Sequence, residues 1–385
     1  MTIGAAPIMW ALALSIPALL RIAWDLRLAR GWSRWRSRTP APPSSVPDPA
    51  VSLILCVHND LDALQAIWPH WTGQQFPDHW AVQWVVVDDG STDGTAGWLR
   101  QQAAQDARIT VVHHPKQRPG KKEALAAGIA AAVHDRLVLT DADCRPGARW
   151  AHTLASTIGH AEHAPHLVFG ASLPESGPAL LRFDALRVAW QSMTEAALGR
   201  GYMATGRSLA YRKSTWTQLG GFAAHMDLAS GDDDLFVQQA LAAGLALHPV
   251  SADPDAHNPT APAQTVREGF RRKRRHLTTA PRYTRATALR LTMDAALDLI
   301  VGLLGLTAPF LLHNGGWIPF VTAASALLVR ATTLSAFAKD QGLSAAAGPV
   351  AIAWGPVRWA GLALATLSNF TSSPTWTQRA PTRRS

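Results

Sequence analysis

The chain is predicted to be an α/β protein built on a mostly parallel sheet, with apolar membrane-spanning helices before and after it. Three observations predict this. Short apolar runs alternate with helix-like stretches between Val51 and Thr140, an apolar run of roughly 20 residues lies near the N-terminus, and further apolar runs follow Ala295. With 385 residues, 48% of them hydrophobic, length alone leaves one large core or two smaller ones open, so the placement of the apolar residues decides.

The first element, from Ile3 to about Trp24, is long and apolar enough to cross a bilayer core. No small-residue cleavage region follows it, and its basic flank (Arg27, Arg30, Arg34, Arg36, Arg38) lies downstream. Residues 1–25 therefore read as an uncleaved anchor whose following segment is cytoplasmic. Residues 26–50 read as a basic and then Pro/Ser-rich linker, ending in the extended run Thr39–Pro49. The soluble domain, 51–262, opens with the strand Val51–Val57. It continues with a helix at Leu61–Trp71, a strand at Trp84–Val87, a helix at Thr95–Ala104, a strand at Ile109–His113, an alanine-rich helix at Glu123–Val133 and a strand at Leu137–Thr140.

Residues 263–293 form a basic interfacial segment, 294–371 a membrane region, and 372–385 a polar tail. The membrane region holds three apolar stretches, Ala295–Leu312, Trp317–Phe337 and Ala345–Phe370. The first is the cleanest span. The third carries Pro349, Pro356 and Arg358, and is expected not to cross, because crossing would put Arg379, Arg383 and Arg384 outside. A net charge of +9 would elsewhere suggest nucleic acid. Here the basic residues gather at Arg21–Arg38 and Arg267–Arg290, beside apolar spans, so membrane anchoring explains them and no nucleic-acid partner is expected. Cys56 and Cys144 have no metal-ligand spacing.

In parallel sheets ligands bind at the carboxyl ends of the strands. His58-Asn59-Asp60 follows the first strand, Asp88–Thr95 the second and Asp141-Ala142-Asp143 the fourth. Each group alone is ordinary turn or cap chemistry. Together they bring acids to one edge, and hard carboxylate oxygens suit Mg²⁺ or Mn²⁺ shared with substrate phosphates. Asp143, helped by Asp141, is the candidate metal holder on a diphosphate.

Four stretches, VSLILCVHND (Val51–Asp60), VVVDDGSTDGT (Val85–Thr95), GKKEAL (Gly120–Leu125) and TDAD (Thr140–Asp143), resemble in order and spacing the family-two glycosyltransferases of GT-A fold. The resemblance covers about Val51 to His276. It implies that Asn59 and Asp60 lie near the nucleotide base, that Asp89 contacts the uridine part, that Lys121 and Asp141 approach the nucleotide, and that Asp143 ligates the metal. ATGRSLAYRKSTWTQLGGF (Ala204–Phe222) looks like the acceptor-side segment, which brings in Gly206, Arg207 and Tyr211. The family's general base, the Asp of Glu-Asp-x-x-Leu, aligns with Asp232, with Gly231 in place of Glu and Asp233 as the alternative. In Arg271–His276 the resemblance extends to the family's Gln-x-x-Arg-Trp, with Arg272 for Gln, His276 for Trp and Arg275 retained. Arg271, Lys273 and Arg274 are expected to meet lipid headgroups.

The resemblance implies a multi-pass cell-membrane enzyme with a cytoplasmic catalytic domain. It would be an inverting, metal-dependent transferase moving a sugar from a nucleotide sugar, expected to be a UDP-sugar, to a lipid-linked or glycan acceptor. Two other readings stay open on the sequence: a nucleotidyltransferase, and a non-catalytic nucleotide-binding scaffold or transporter.

Overall fold

The computed structural model describes residues 5–37, 48–158, 166–250, 257–307, 317–343, 358 and 360–369. Helix α1 (Ala5–Ser37) runs through the expected anchor and on into the expected linker, so no boundary falls at residue 25. The reason is helical period: Leu28 and Trp32 are buried in the core of the sheet domain while Arg27, Arg30 and Arg34 face outward. Residues 38–47, which hold most of the Pro/Ser run, lie outside the described residues.

The domain then alternates β1 (Ala50–Val57), α2 (Leu61–Thr72), β2 (Ala81–Asp88), α3 (Thr95–Gln105), β3 (Ile109–His113), α4 (Lys122–Ala131) and β4 (Arg136–Asp141). It continues with α5 (Trp150–Thr157), β5 (Leu167–Phe169), α6 (Ala179–Ala197), β6 (Leu209–Arg212), α7 (Lys213–Gln218), α8 (Asp234–Ala242) and β7 (Leu247–Pro249). The strands form one seven-stranded sheet of order β3-β2-β1-β4-β6-β5-β7. Only β6 runs antiparallel to its neighbours. Alternate residues of β1 serve opposite faces. Leu53 and Leu55 pack with Leu64, Trp71 and Trp150, whereas Ile54 packs with Leu125, Ile129, Trp190 and Phe236. Because helices cover both faces, these strands read in sequence as continuous apolar runs.

After the sheet come α9 (Val266–His276), α10 (Arg285–Thr307) and α11 (Trp317–Asp340). Small residues, Ala18, Ala323 and Ala326, bring α1, α10 and α11 together around Val301. Among the described residues two helices are long and apolar enough to cross a membrane, Met9–Ser37 and Trp317–Asp340. The described part of the stretch expected to be the cleanest span, residues 295–307, belongs to α10, which starts earlier, at Arg285, and buries Asp294 in an ion-pair lattice. Most of the third stretch lies outside the described residues, but 360–369 are helical.

The lattice ties these helices to the sheet. Arg21 pairs with Asp25 and Asp294, both at 2.6 Å, and Arg187 of α6 pairs with Asp294 at 2.7 Å and Asp298 at 3.0 Å. Arg330 of α11 also pairs with Asp298. Each charge is met by an opposite one, as burial at that depth requires. Nearer the domain, Trp32 donates to Asp340 at 2.9 Å and packs edge-on against Phe337. The C-terminal ends of α1 and α11 therefore sit side by side against the sheet domain.

Candidate active site

The stretch Leu137–Pro146 (LVLTDADCRP) runs an apolar strand into two carboxylates and a turn. In the structure β4 ends at Asp141, and the turn is held through its backbone by a segment far away in sequence. Arg145 N donates to Pro259 O, Gly147 N to His257 O, and Ala261 N to Asp143 O, each at 2.8 Å. Buried Asn258 donates to Thr140 Oγ1 at 2.8 Å and to the carbonyl of Arg207. Both carboxylates of the turn line an open cleft of about 270 Å³, together with Asp60, Lys121, Asp232 and Arg275. The acids after β1 and β4 thus share one cleft, while Asp89, after β2, lines a separate small pocket with Gly120 and Lys122.

Within the cleft Lys121 Nζ stands 2.5 Å from Asp141 Oδ1 and 3.1 Å from Asp232 Oδ2. Burial alone would raise the pKa of Asp141, but the charge and hydrogen bond of Lys121 outweigh it and hold that carboxyl below its ordinary value. Asp232 is moved the other way. Burial raises it, the charges of Asp233 and Asp141 add to the rise, and Lys121 only partly opposes them. Two carboxylates in one cleft, pushed apart in pKa, are suited to different work: one stays ionised as a ligand, the other is a stronger base.

Residues 52–181 match the model of Glycosyl transferase family 2. This stretch is a family-two glycosyltransferase domain. No curated protein sequence matches the chain. Among solved structures it resembles the mannosyltransferase PcManGT from Pyrobaculum calidifontis, in complex with GDP-Man and Mn²⁺, with a TM-score of 0.54 and 22% identity. That likeness covers 93% of this chain and 99% of the other, so the shared GT-A fold takes in helices beyond the sheet.

The family-two match includes Asn59, Asp60, Asp89, Lys121, Asp141 and Asp143, while Asp232 and Arg275 lie beyond it. Those last two reach the same cleft through α8 and α9. The three consecutive aspartates before α8 have three different partners. Asp232 faces Lys121. Asp233 caps α8, its carboxylate accepting from Asp234 N at 2.7 Å and from Gly206 N at 2.8 Å. Asp234 faces the connection between α9 and α10, accepting from Leu235 N at 2.8 Å, from Tyr283 Oη at 2.7 Å and from Thr279 Oγ1. Burial and the charge of Asp233 push it up to about 7 against those bonds.

Two glycines shape this corner. Gly231, where the family motif has Glu, sits at φ 100°, and a Cβ there would lie 2.6 Å from Leu235 Cδ1. A glutamate does not fit that backbone. Gly206, in the turn before β6, lets the chain approach closely, since a Cβ would come within 3.2 Å of Asp232 Oδ2.

Beyond His58 of the cleft, Asp89 is buried and both of its carboxylate oxygens are engaged. His114 Nδ1 lies 3.1 Å from one, and Lys116 Nζ pairs with the other. His58 Nδ1 meets the Asp89 carbonyl at 2.6 Å. Sequence reasoning passed over His114 and Lys116 because the turn after β3 carries no acid; its position at a strand end was the available signal. Asn59 is a brace between loops. Its Oδ1 accepts from Thr92 N at 2.7 Å, and its backbone N donates to Ser91 Oγ at 3.0 Å. Of the paired lysines only Lys121 lines the main cleft; Lys122 is buried against the carbonyls of His225 and Leu228.

Two expectations are corrected here. Tyr211 was placed on the acceptor side, but as a β6 residue it is fully buried, its ring packed on Phe236 beneath the cleft. Lys273 and Arg274 were expected to meet lipid headgroups. Instead Lys273 pairs with Asp184 at 2.9 Å, and Arg274 donates to Asn369 Oδ1 and Ser368 O at 3.0 Å. Those bonds fasten α9 along one side, while Arg275 and His276 line the cleft and Arg271 is exposed.

Proposed function

We propose that this chain is a membrane-embedded, inverting glycosyltransferase that moves a sugar from a nucleoside diphosphate sugar to a hydroxyl of a lipid-linked or glycan acceptor. The observation that carries the reading is the single cleft into which Asp141, Asp143, Lys121, Asp232 and Arg275 all open. Asp232 accepts the proton of the acceptor hydroxyl as that oxygen bonds to the anomeric carbon. The bond from this carbon to the diphosphate oxygen breaks, and its electron pair leaves with the nucleoside diphosphate. One displacement with one base inverts the anomeric centre, and general-base help is worth about 10²–10⁴-fold.

Asp143 and Asp141 fit Mg²⁺ or Mn²⁺. Among the described residues no three His, Cys, Asp or Glu side chains are grouped to hold a metal alone, as expected for an ion that completes its shell with substrate phosphates. A bound ion would supply positive charge to the leaving diphosphate. Lys121 and Arg275 present further positive charge to the same group. Asp89, with Lys116 beside it, offers an acceptor and a donor to the base. That pair suits the N–H and carbonyl edge of uracil, and equally that of guanine, so UDP-sugars are proposed first and GDP-sugars belong in the same test.

Membrane embedding is supported by the exposed apolar residues of α1, among them Met9, Trp10, Leu12, Ile16 and Leu20, followed by the outward-facing Arg27, Arg30 and Arg34. That basic end packs on the catalytic domain, and charge bias favours a cytoplasmic domain. Helix α10 leaves this side and α11 returns to it. Arg358 pairs with Asp184 of α6 at 2.7 Å and Asn369 meets Arg274 of α9, so the two ends of the described part of the third stretch contact the domain and the helix that follows it. These contacts favour a third stretch that does not cross.

Phosphorus NMR of the purified protein in liposomes, given Mn²⁺, an extracted lipid acceptor and UDP- or GDP-sugars, tests the reading. Release of nucleoside diphosphate with labelled sugar in the lipid is expected. Sugar 1-phosphate as the leaving group, from attack at the phosphorus next to the nucleoside, would make the protein a nucleotidyltransferase, and no turnover with any donor would support a silent scaffold.

A further inference from the structure

We infer that Asp234, Thr279 and Tyr283 form a positioning bracket that sets Arg275 across the cleft from the loop bearing Asp232. The inference rests on the proposed reading of Arg275 as a contact to the donor diphosphate. A helix start needs one cap, and Asp233 supplies it. Asp234 is nevertheless buried, and its Oδ2 takes two hydroxyl donors from the connection between α9 and α10. One turn further along α8, on the same face, Gln238 Oε1 accepts from Thr284 N at 3.2 Å and its Nε2 donates to Tyr202 O at 2.6 Å. A single helix face thus grips the connection at Thr279, Tyr283 and Thr284 while its N-terminus carries the base.

The connection is in turn fastened to the end of α9. Thr278 Oγ1 donates to Arg275 O at 2.7 Å, and the Thr279 hydroxyl, with one proton shared between Asp234 and the His276 carbonyl, lies 2.8 Å from the latter. A short chain of contacts therefore runs from the Asp232 loop through Asp234 and Thr279 to His276, the neighbour of Arg275 at the end of α9, and Asp234, Thr279, Arg275 and His276 all line the cleft. The outer side of α9 is held separately, by Asp184 and Asn369. Asp234 is the fastening on the cleft side. Loosening it lets the Arg275 guanidinium drift from its place while the fold and the base remain, and displacements of that size are costly to a pre-organised site.

The test is a double-mutant cycle on the full-length protein, reading donor dissociation constants by calorimetry and donor kcat/KM with Mn²⁺. Tyr283→Phe should weaken donor binding about 10-fold, the scale of one hydrogen bond to a charged group. Arg275→Lys should weaken it by at least as much, because an ammonium cannot reproduce a guanidinium fork. The double variant should be no worse than Arg275→Lys alone, since Tyr283 acts through Arg275. Losses that multiply, or a Tyr283→Phe protein that binds donor normally, would overturn the bracket. Normal donor binding by Arg275→Lys would instead overturn the reading of Arg275 beneath it. Should Tyr283→Phe fail to fold, Thr279→Val removes the other hydroxyl and carries the same expectation of non-additivity.

Discussion

Asp232→Asn should cut sugar transfer about 10²–10⁴-fold while leaving donor affinity close to that of the unaltered protein. The separation follows from the partners. Lys121 keeps Asp141 at 2.5 Å when Asp232 loses its charge, so the donor side of the cleft is retained. What disappears is the proton acceptor. Asp232 works only when deprotonated, so the rate falls as pH drops through its pKa. Burial raises that pKa above the ordinary carboxylate value of about 3.9, so the acid limb of the rate profile should lie above that value and vanish in the Asn variant. Asp233→Asn should behave differently, because an amide oxygen replaces only one of the two acceptors its carboxylate gives to Asp234 N and Gly206 N. A loss of about 0.5–2 kcal/mol of stability, with transfer largely kept, is the expected cost of a weakened cap. Transfer lost in Asp233→Asn and kept in Asp232→Asn would move the base one residue along.

Asp143→Asn should lower turnover at least about 100-fold, beyond the 10–100-fold typical of disturbing groups that merely orient metal ligands. The more specific readout is binding. In the unaltered protein Mn²⁺ should tighten the affinity for a nucleoside diphosphate, and in Asp143→Asn that dependence should disappear. The fold should persist, because the turn is held by the backbone bonds to 257–261 and not by this carboxylate alone. Full activity of the variant in excess chelator would remove the metal from the account.

The parallel half of the sheet was legible because strands covered on both faces leave unbroken apolar runs; β1, β3 and β4 fall within a residue or so of their expected limits. The acids after β1, β2 and β4 were legible for the same reason, since the strand ends fix where they point. Other features had weaker signals. Leu28 and Trp32 announce by their spacing that α1 continues, but the arginines between them read as a linker. Tyr211 sits in a motif that resembles an acceptor segment, yet a residue in the middle of a four-residue central strand faces a core. Segment 257–261 has no periodicity at all, because its work is done by backbone groups and by Asn258. The contact of Asp234 with Thr279 and Tyr283 spans more than forty residues, and only the fold brings them together.

The stereochemistry of the transferred sugar tests the central claim most directly. Proton NMR of the product formed from an α-linked nucleotide sugar should show a β-linked sugar, the outcome of one displacement assisted by Asp232. A product that retains the α configuration would contradict the single-base mechanism, because two successive displacements or a different set of catalytic groups would then be required.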